Sequence, residues 1–522
     1  MPANYKKGVF HVHSSFSDGS GRIAEICREA RESGLDFIVL TDHGRPNLEA
    51  SAATGCYHGI LLIGASEFSL NEGHLAAAGY RVPAYIFPPE AQEAISEVDR
   101  DHGVTFVSHP FDRKIPWSGW QVRDFTGIEI FSLYQLAKKA SFLQAAVFPL
   151  QYAFHADYAF TKLLTVPERE MRLWDSLNRQ GRYFAIYALD AHAKIEIGGK
   201  FQLDFPSYAA MFKILTIYVK VQDEPSSEPR LAAAAIIAAM RRGDFFNVIE
   251  ALAPANGFEN YYRENDGRRV EMGGDAESPG GALIFKLPFD FATDIVVKKD
   301  GIVFKTIRAN TRRELSVPVA RAGVYRCEIS LATGRFKQLP WIMANPIRVA
   351  TPAAEKKPAA PVSGTIMVKD GGFFLVEKNS RSSASLAWQV RAETPPVTGL
   401  TFVLQPEASG QRDFWVALAH RKPISGSGYH GFVFEARAGR AMRFWLQFRT
   451  GKNPEEAAYQ HSFLATELWR QIAIPFSAFH RLYGQPALPD PAWIDSFFFL
   501  IDNGNASPGA GGEIFLRQIG LY

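Results

Sequence analysis

Histidines and carboxylates gather early in this chain, in the combinations that metal-ion chemistry needs. His11-Val12-His13 with Asp18 close behind, Asp42-His43, Glu67 with His74, His109, Glu129, and Asp190-Ala191-His192 all fall within the first 192 residues. Nine of the 13 histidines lie there, and the next is His420. Imidazole nitrogen and carboxylate oxygen are the ligands hydrolases use for Zn²⁺, Mn²⁺ or Fe²⁺. On a strand, residues two apart share a face, so the imidazoles of His11 and His13 can reach one ion. Such a pair alone carries little weight, and a lone His74 or His109 is more often a buried structural histidine. The weight comes from the succession of the whole set.

These side chains can meet only if the fold gathers them. From about residue 8 to 250 short apolar runs alternate with helical stretches. Asp36–Leu40, Ile60–Ile63, Val104–Val107, Ile128–Phe131 and Tyr183–Tyr187 read as buried strands. Ile23, Ile26, Cys27 and Ala30 form a helical stripe stopped by Gly34; Pro89 opens a second helix with the stripe Ala94, Ile95 and Val98, ended by Gly103. Repeated βα units imply a parallel sheet or barrel. His43, Glu67, His109 and Asp190 each follow the carboxyl end of a strand, the end that converges on one face of a β/α barrel. Residues 135–182 interrupt the alternation with an insert rich in Ala, Leu, Phe and Tyr. It reads either as a lid or pocket wall over the mouth, or as a helical pair that extends the core.

The run of motifs resembles the PHP family, the polymerase and histidinol phosphatase group of metal-dependent phosphoesterases. The stretches that carry the resemblance are Phe10–Gly19, Leu40–His43, Gly64–Glu67, Gly73–Leu75, Ser108–Pro110, Gly127–Ile130 and Leu189–His192, within residues 5–250. The resemblance implies a distorted (β/α)7 barrel with two or three divalent ions (Mn²⁺, Fe²⁺ or Zn²⁺) at its mouth. It implies that His11, His13, Glu67 and Asp190 hold one ion, that Glu67 bridges to a second held by His74 and His109, and that Asp18, His43 and His192 hold any third. Many members carry His where this chain has Asp18, so the third position favours a harder ion or a weaker site. Asp42 is expected to orient a ligand imidazole; Glu129 either does the same or fills a polar core position.

The chemistry implied is hydrolysis of a phosphate mono- or diester by attack of a metal-bound hydroxide, with His192 or Asp190 protonating the leaving group. Arg113 and Lys194 either contact the anionic substrate or are solvated loop charges. Two alternatives stay open: a carbamate, ester or amide hydrolase using the same ions, and a non-catalytic glycan-binding protein. The chain has no GxSxG, Walker A or Rossmann glycine pattern.

The rest of the chain is strand-like. The fold class expected is multidomain: an α/β barrel over residues 1–258, a β-sandwich over 259–350, a Pro/Ala linker over 351–363, and an all-β jelly roll over 364–522. The hairpin Asp294–Lys305 turns at Asp300-Gly301, and Tyr325–Leu331 alternates cleanly. Met442, Phe444, Leu446 and Phe448 alternate along one run, and Phe497–Ile501 reads as a buried strand. The last region weakly resembles galactose-binding-like jelly rolls of carbohydrate-binding modules. There Trp415, Trp445 and Tyr429 either stack on sugar rings or pack the sandwich. Asp495, Asp502 and Asn503 are candidates for a structural Ca²⁺.

A hydrophobic fraction of 47% supplies real cores, and a net charge of +3 over 522 residues argues against a nucleic-acid scaffold. Cys27, Cys56 and Cys327 are too scattered for a disulfide framework. The most apolar long segment, Phe142–Leu164, contains Gln144, Pro149, Gln151, His155, Asp157 and Lys162, so no membrane span is expected. With a ligand-like His11 directly after Gly8–Phe10, no signal peptide is visible. The expected location is cytoplasmic; the alternative is export, with a signal peptide absent from this chain. The expected partner is a small phosphoester, with a glycan possible at the C-terminal domain.

Overall fold

The structure is a computed structural model of the 522-residue chain. It describes residues 5–350 apart from 84, 139–140, 198–200 and 222–225, and residues 365–522 apart from 367–373, 390–395, 406–413, 451–456, 484–486 and 508. The expected linker at 351–363 lies outside the described residues. The chain forms two compact units. One holds Met1–Val82 with Ala91–Glu355; the other holds Pro83–Glu90 with Lys356–Tyr522.

In the first unit, the part that carries the candidate ligands is built from two sheets around one apolar cluster. In the larger sheet β1 (Tyr5–Val12) lies parallel to β2 (Phe37–Leu40), and β2 parallel to β3 (Ile60–Gly64). The smaller sheet runs β4 (Ser66–Leu70), β5 (Gly73–Ala78), β6 (Val104–Val107), β7 (Gly127–Ser132), β8 (Phe184–Ala188). Phe10, Val39, Ile63, Phe106 and Ile186 belong to one buried cluster. On the far side of β1 the larger sheet continues antiparallel through β9 (Leu215–Lys220) and β10 (Phe245–Ile249).

Two helices follow their sequence signals. In α1 (Ile23–Glu32) the Glu25 carboxylate accepts from the Arg22 amide at 3.0 Å, Ile26, Cys27 and Ala30 are buried, and Gly34 leaves the helix at φ +68°. α2 (Ala91–Arg100) buries Ala94, Ile95 and Val98. The insert becomes α3 (Phe142–Thr161) and α4 (Glu168–Asn178), between β7 and β8.

The strand–helix alternation breaks between β3 and β5. Only Ala65 separates β3 from β4, and only Asn71-Glu72 separates β4 from β5. A parallel crossover needs a dozen or more residues, so β4 and β5 pair as an antiparallel hairpin with no helix between them, and β6 adds antiparallel to β5. The region expected as a separate β-sandwich is also continuous with what precedes it. Ile342–Val349 pairs with β10, placing Ala344 opposite Phe246. Tyr218, Phe246 and Val248 share a core with Phe285, Ile329 and Trp341. Pairing covers the β10 edge, which a boundary at 258 would leave open.

The second unit is all-β, with two six-stranded sheets. Met442, Phe444, Leu446 and Phe448 point into the core between them, as the alternation predicts, and Phe497, Phe499 and Ile501 join them. Among the described residues no helix is long and apolar enough to cross a membrane.

Candidate metal centre

The candidate ligands stand where the two sheets of the first unit meet. At one seam His43 and Glu67 form a parallel bridge, and the Glu67 amide donates to the Thr41 carbonyl at 3.0 Å. At the other, Val12 bridges Ala191, and the His13 amide donates to the Ala191 carbonyl at 2.9 Å. Residues remote in sequence are thereby set side by side by backbone hydrogen bonds.

Local backbone geometry departs from plain strand. β1 pairs with β2 at Phe10 and at Val12, skipping His11, which has φ +67°. His11 is thus a bulge residue, and pleat alternation is not what brings it beside His13. His109 (φ +27°) and Asp190 (φ +52°) also have positive φ. Each such non-glycine conformation costs on the order of 1–3 kcal/mol and persists where surrounding structure enforces it.

Glu67, 1% exposed, is the hub. Its Oε1 lies 3.1 Å from His109 Nε2, 3.3 Å from His74 Nδ1 and 3.4 Å from His11 Nε2. Its Oε2 lies 3.1 Å from His43 Nδ1 and 3.6 Å from His13 Nε2. The Nε2 atoms of His11 and His13 face each other at 3.1 Å, and Asp190 Oδ1 stands 3.6 and 3.4 Å from them. Asp18, on the open side, reaches His192 Nε2 at 3.2 Å, His13 Nδ1 at 3.6 Å and His43 Nε2 at 3.7 Å. All nine residues predicted to bind metal come together.

This arrangement fits divalent cations. Ligands bound to one ion at about 2.0–2.2 Å stand roughly 2.9–3.6 Å apart, the spacing seen here. Nδ1 atoms of His13, His43, His74 and His109 are buried without a hydrogen bond, an arrangement that is costly unless something else satisfies them. Within the cluster, three groupings offer converging ligand atoms: His13, Asp18, His43 and His192; His11, His13 and Asp190; and His43, Glu67 and His74.

The surrounding residues hold this set in place. Glu129 Oε1 pairs with His11 Nδ1 at 2.5 Å, and its Oε2 accepts from the His109 amide at 2.8 Å. It therefore fixes one ring and one backbone of the cluster, the first of the two roles left open for it. Asp42 acts differently from the expectation. It accepts from the Ser14 amide and hydroxyl, both at 2.8 Å, and from the Ser17 hydroxyl at 2.5 Å. Lying just before His43 in sequence, it ties down the loop after His13 and orients no imidazole. Two residues escaped the sequence reading. The Tyr208 hydroxyl donates to the His13 carbonyl at 2.8 Å and lies 3.2 Å from the His192 carbonyl. The Tyr134 ring packs on His192 with centroids 4.9 Å apart.

Electrostatics bind the cluster tightly. Burial opposes a charged His11, but Glu129, Glu67 and Asp190 outweigh it and hold its pKa well above the ordinary value. Burial likewise works against a charged His109, yet Glu67 leads the groups that raise it to about 9. Burial takes His13 down to about 4. Glu67 and Asp190 are held well below the usual carboxylate range: burial pushes both up, and the neighbouring imidazoles more than reverse it. Protons shared this way are what metal ions displace on binding.

Two cavities border the cluster. One, of about 480 Å³, is lined by His109, Glu129, Arg113, Arg169 and Arg172. The other, of about 210 Å³, is lined by Asp190, His192, Lys194 and apolar side chains. Arg113 and Lys194 thus stand at different cavities.

The C-terminal candidates fare differently. Trp445 is 5% exposed and donates through Nε1 to Asp502 Oδ1 at 2.9 Å. Trp415 packs against the small cluster of Ala417, Ala419, Trp445, Phe498 and Leu500, and Tyr429 against the main core. The packing alternative is the one realised for Trp445. Asp502 Oδ1 also accepts from the Gly504 amide at 2.8 Å, so that oxygen holds both a turn and the Trp445 indole.

The PHP domain family matches residues 10–96. A two-domain protein from Bacteroides vulgatus, described as containing a predicted PHP-like metal-dependent phosphoesterase, aligns at 15% identity over 66% of this chain and 94% of its own, with a TM-score of 0.32. The family 11 carbohydrate-binding module of a Clostridium thermocellum cellulase aligns at 15% identity over 31% of this chain and 95% of its own, with a TM-score of 0.25. No curated protein matches. Residues 10–96 of this chain carry a PHP domain.

Proposed function

We propose that the chain is a metal-dependent phosphoesterase that hydrolyses a phosphate mono- or diester at this cluster. The observation that carries the reading is one buried carboxylate, Glu67, within 3.1–3.6 Å of five imidazoles. A set of ring nitrogens aimed at one another and at carboxylates suits cations and little else.

His11, His13, Glu67 and Asp190 would hold one ion, and His74 and His109, with Glu67 shared, a second. Asp18, His43 and His192 would hold a third. Divalent ions there would lower the pKa of a water and neutralise charge on a phosphoryl group. Glu129 fixes the His11 ring, so Nε2 is the nitrogen presented to the centre. Asp42 and Tyr208 lock the backbone at residues 13–17 and 192, which keeps His13 and His192 in register. His192, at the cluster edge, would deliver a proton to the departing oxygen, while Asp190, held ionised against its burial by the neighbouring imidazoles, would not. Arg113, at the larger cavity, faces substrate charge.

The test is turnover of para-nitrophenyl phosphate, bis-para-nitrophenyl phosphate and a naphthyl carbamate with added Mn²⁺. Phosphoester turnover that falls by about 10³ or more in His13→Ala is expected. Turnover of the carbamate alone would overturn the phosphoesterase reading in favour of carbonyl chemistry.

A further inference from the structure

The smaller cavity beside the cluster has a character that phosphate binding does not require. About 210 Å³ in volume, it is walled by Leu133, Phe148, Phe160, Leu163 and Phe205, with Asp190, His192 and Lys194 at its polar end. Phe148 meets Phe160 edge to face at 5.2 Å and Phe205 at 6.1 Å. Phe148 and Phe160 both come from α3, and Phe160, 3% exposed, and Leu163, 8% exposed, belong to the packed part of the wall. A dianionic phosphoryl group gains nothing from such walls. The polar cavity, with its arginines, borders the cluster elsewhere, through His109 and Glu129.

The apolar walls meet the cluster at Asp190 and His192, so a group seated there lies directly beside the reacting centre. We propose that the substrate is an amphiphilic phosphoester, and that its leaving alcohol carries a hydrocarbon or aryl group seated in this cavity. The inference rests on the phosphoesterase reading and deepens it. In the reaction the P–O bond to the apolar alcohol breaks and a P–O bond to the water oxygen forms. One proton from that water ends on the alcohol oxygen. The products are a free apolar alcohol and inorganic phosphate, or a phosphate monoester if the substrate is a diester.

The experiment compares kcat/KM of the full chain, with Mn²⁺, for glycerol 1-phosphate and for ethyl, butyl, hexyl and 2-phenylethyl phosphate. These are aliphatic alcohols of similar leaving ability, so the series reads burial. The expected result is a rise of up to roughly fourfold per methylene buried, and at least about tenfold from glycerol to hexyl. Phe148→Ser and Phe205→Ser should each reduce the ratio of hexyl to glycerol turnover by about tenfold or more. Should either variant fail to fold, the substrate series on the unaltered chain decides alone. Equal or better turnover of glycerol 1-phosphate would overturn the amphiphile proposal and leave the phosphoesterase reading standing. No phosphoester turnover from protein shown to hold its ions would overturn both.

Discussion

At the scale of single residues the account rests on Glu67 and on the groups that aim the rings around it. Glu129 is the clearest of these, because one carboxylate fixes both the His11 ring and the His109 amide. Partners of this kind typically contribute 10–100-fold in metal affinity. Glu129→Gln should therefore weaken Mn²⁺ binding by about 10–100-fold in a calorimetric titration while leaving the fold intact. An unchanged affinity would mean that Glu129 only fills the core. Residue types announced most of this cluster. His11 and His13 were legible because imidazoles two apart are rare company for so many following carboxylates. Tyr208 was not, because it acts through a hydroxyl on the carbonyl of a residue 195 positions away. The bulge at His11 was equally hidden: alternation predicts that His11 and His13 share a face, and the chain brings them together by breaking alternation.

At the scale of elements, periodicity located the strands and α1 and α2 well, since buried stripes are written into the sequence. It misjudged connections. Ala65 and Asn71-Glu72 are too short for crossovers, and that length, not strand propensity, turns the middle of the expected barrel into a hairpin. One buried group links an element to stability. Asp244 immediately precedes β10, and its Oδ1 is buried without a hydrogen-bond partner. Burial raises its pKa from 3.8 to about 7, with the nearby Lys220 opposing. A carboxyl raised in this way favours the fold while protonated. Its contribution is full below the unfolded pKa and is lost as pH rises through about 7. Asp244→Asn should accordingly raise Tm at pH 8 by several degrees and leave it nearly unchanged at pH 4. A loss of stability at pH 8 would show that the charged form is the one the fold accommodates.

At the scale of the whole molecule, the chain carries two compact units, each with its own core. Composition and length pointed to several domains. They could not show that strands beyond residue 258 extend the first sheet, because edge pairing such as that of Phe246 with Ala344 depends on partners about 100 positions apart. Separate cores predict separate unfolding. Scanning calorimetry of the full chain should resolve two transitions, and a chelator should lower one and leave the other in place. A single transition that shifts as a whole would contradict that division.

The central claim is that Glu67 and its five imidazoles exist to hold cations. Elemental analysis of the purified chain after reconstitution with Mn²⁺, Fe²⁺ or Zn²⁺, alongside its Glu67→Gln variant, tests it most directly. The account predicts about two to three ions per chain, with most of them lost in the variant. A folded chain that takes up no divalent metal, or a variant that holds as much as the parent, would contradict it.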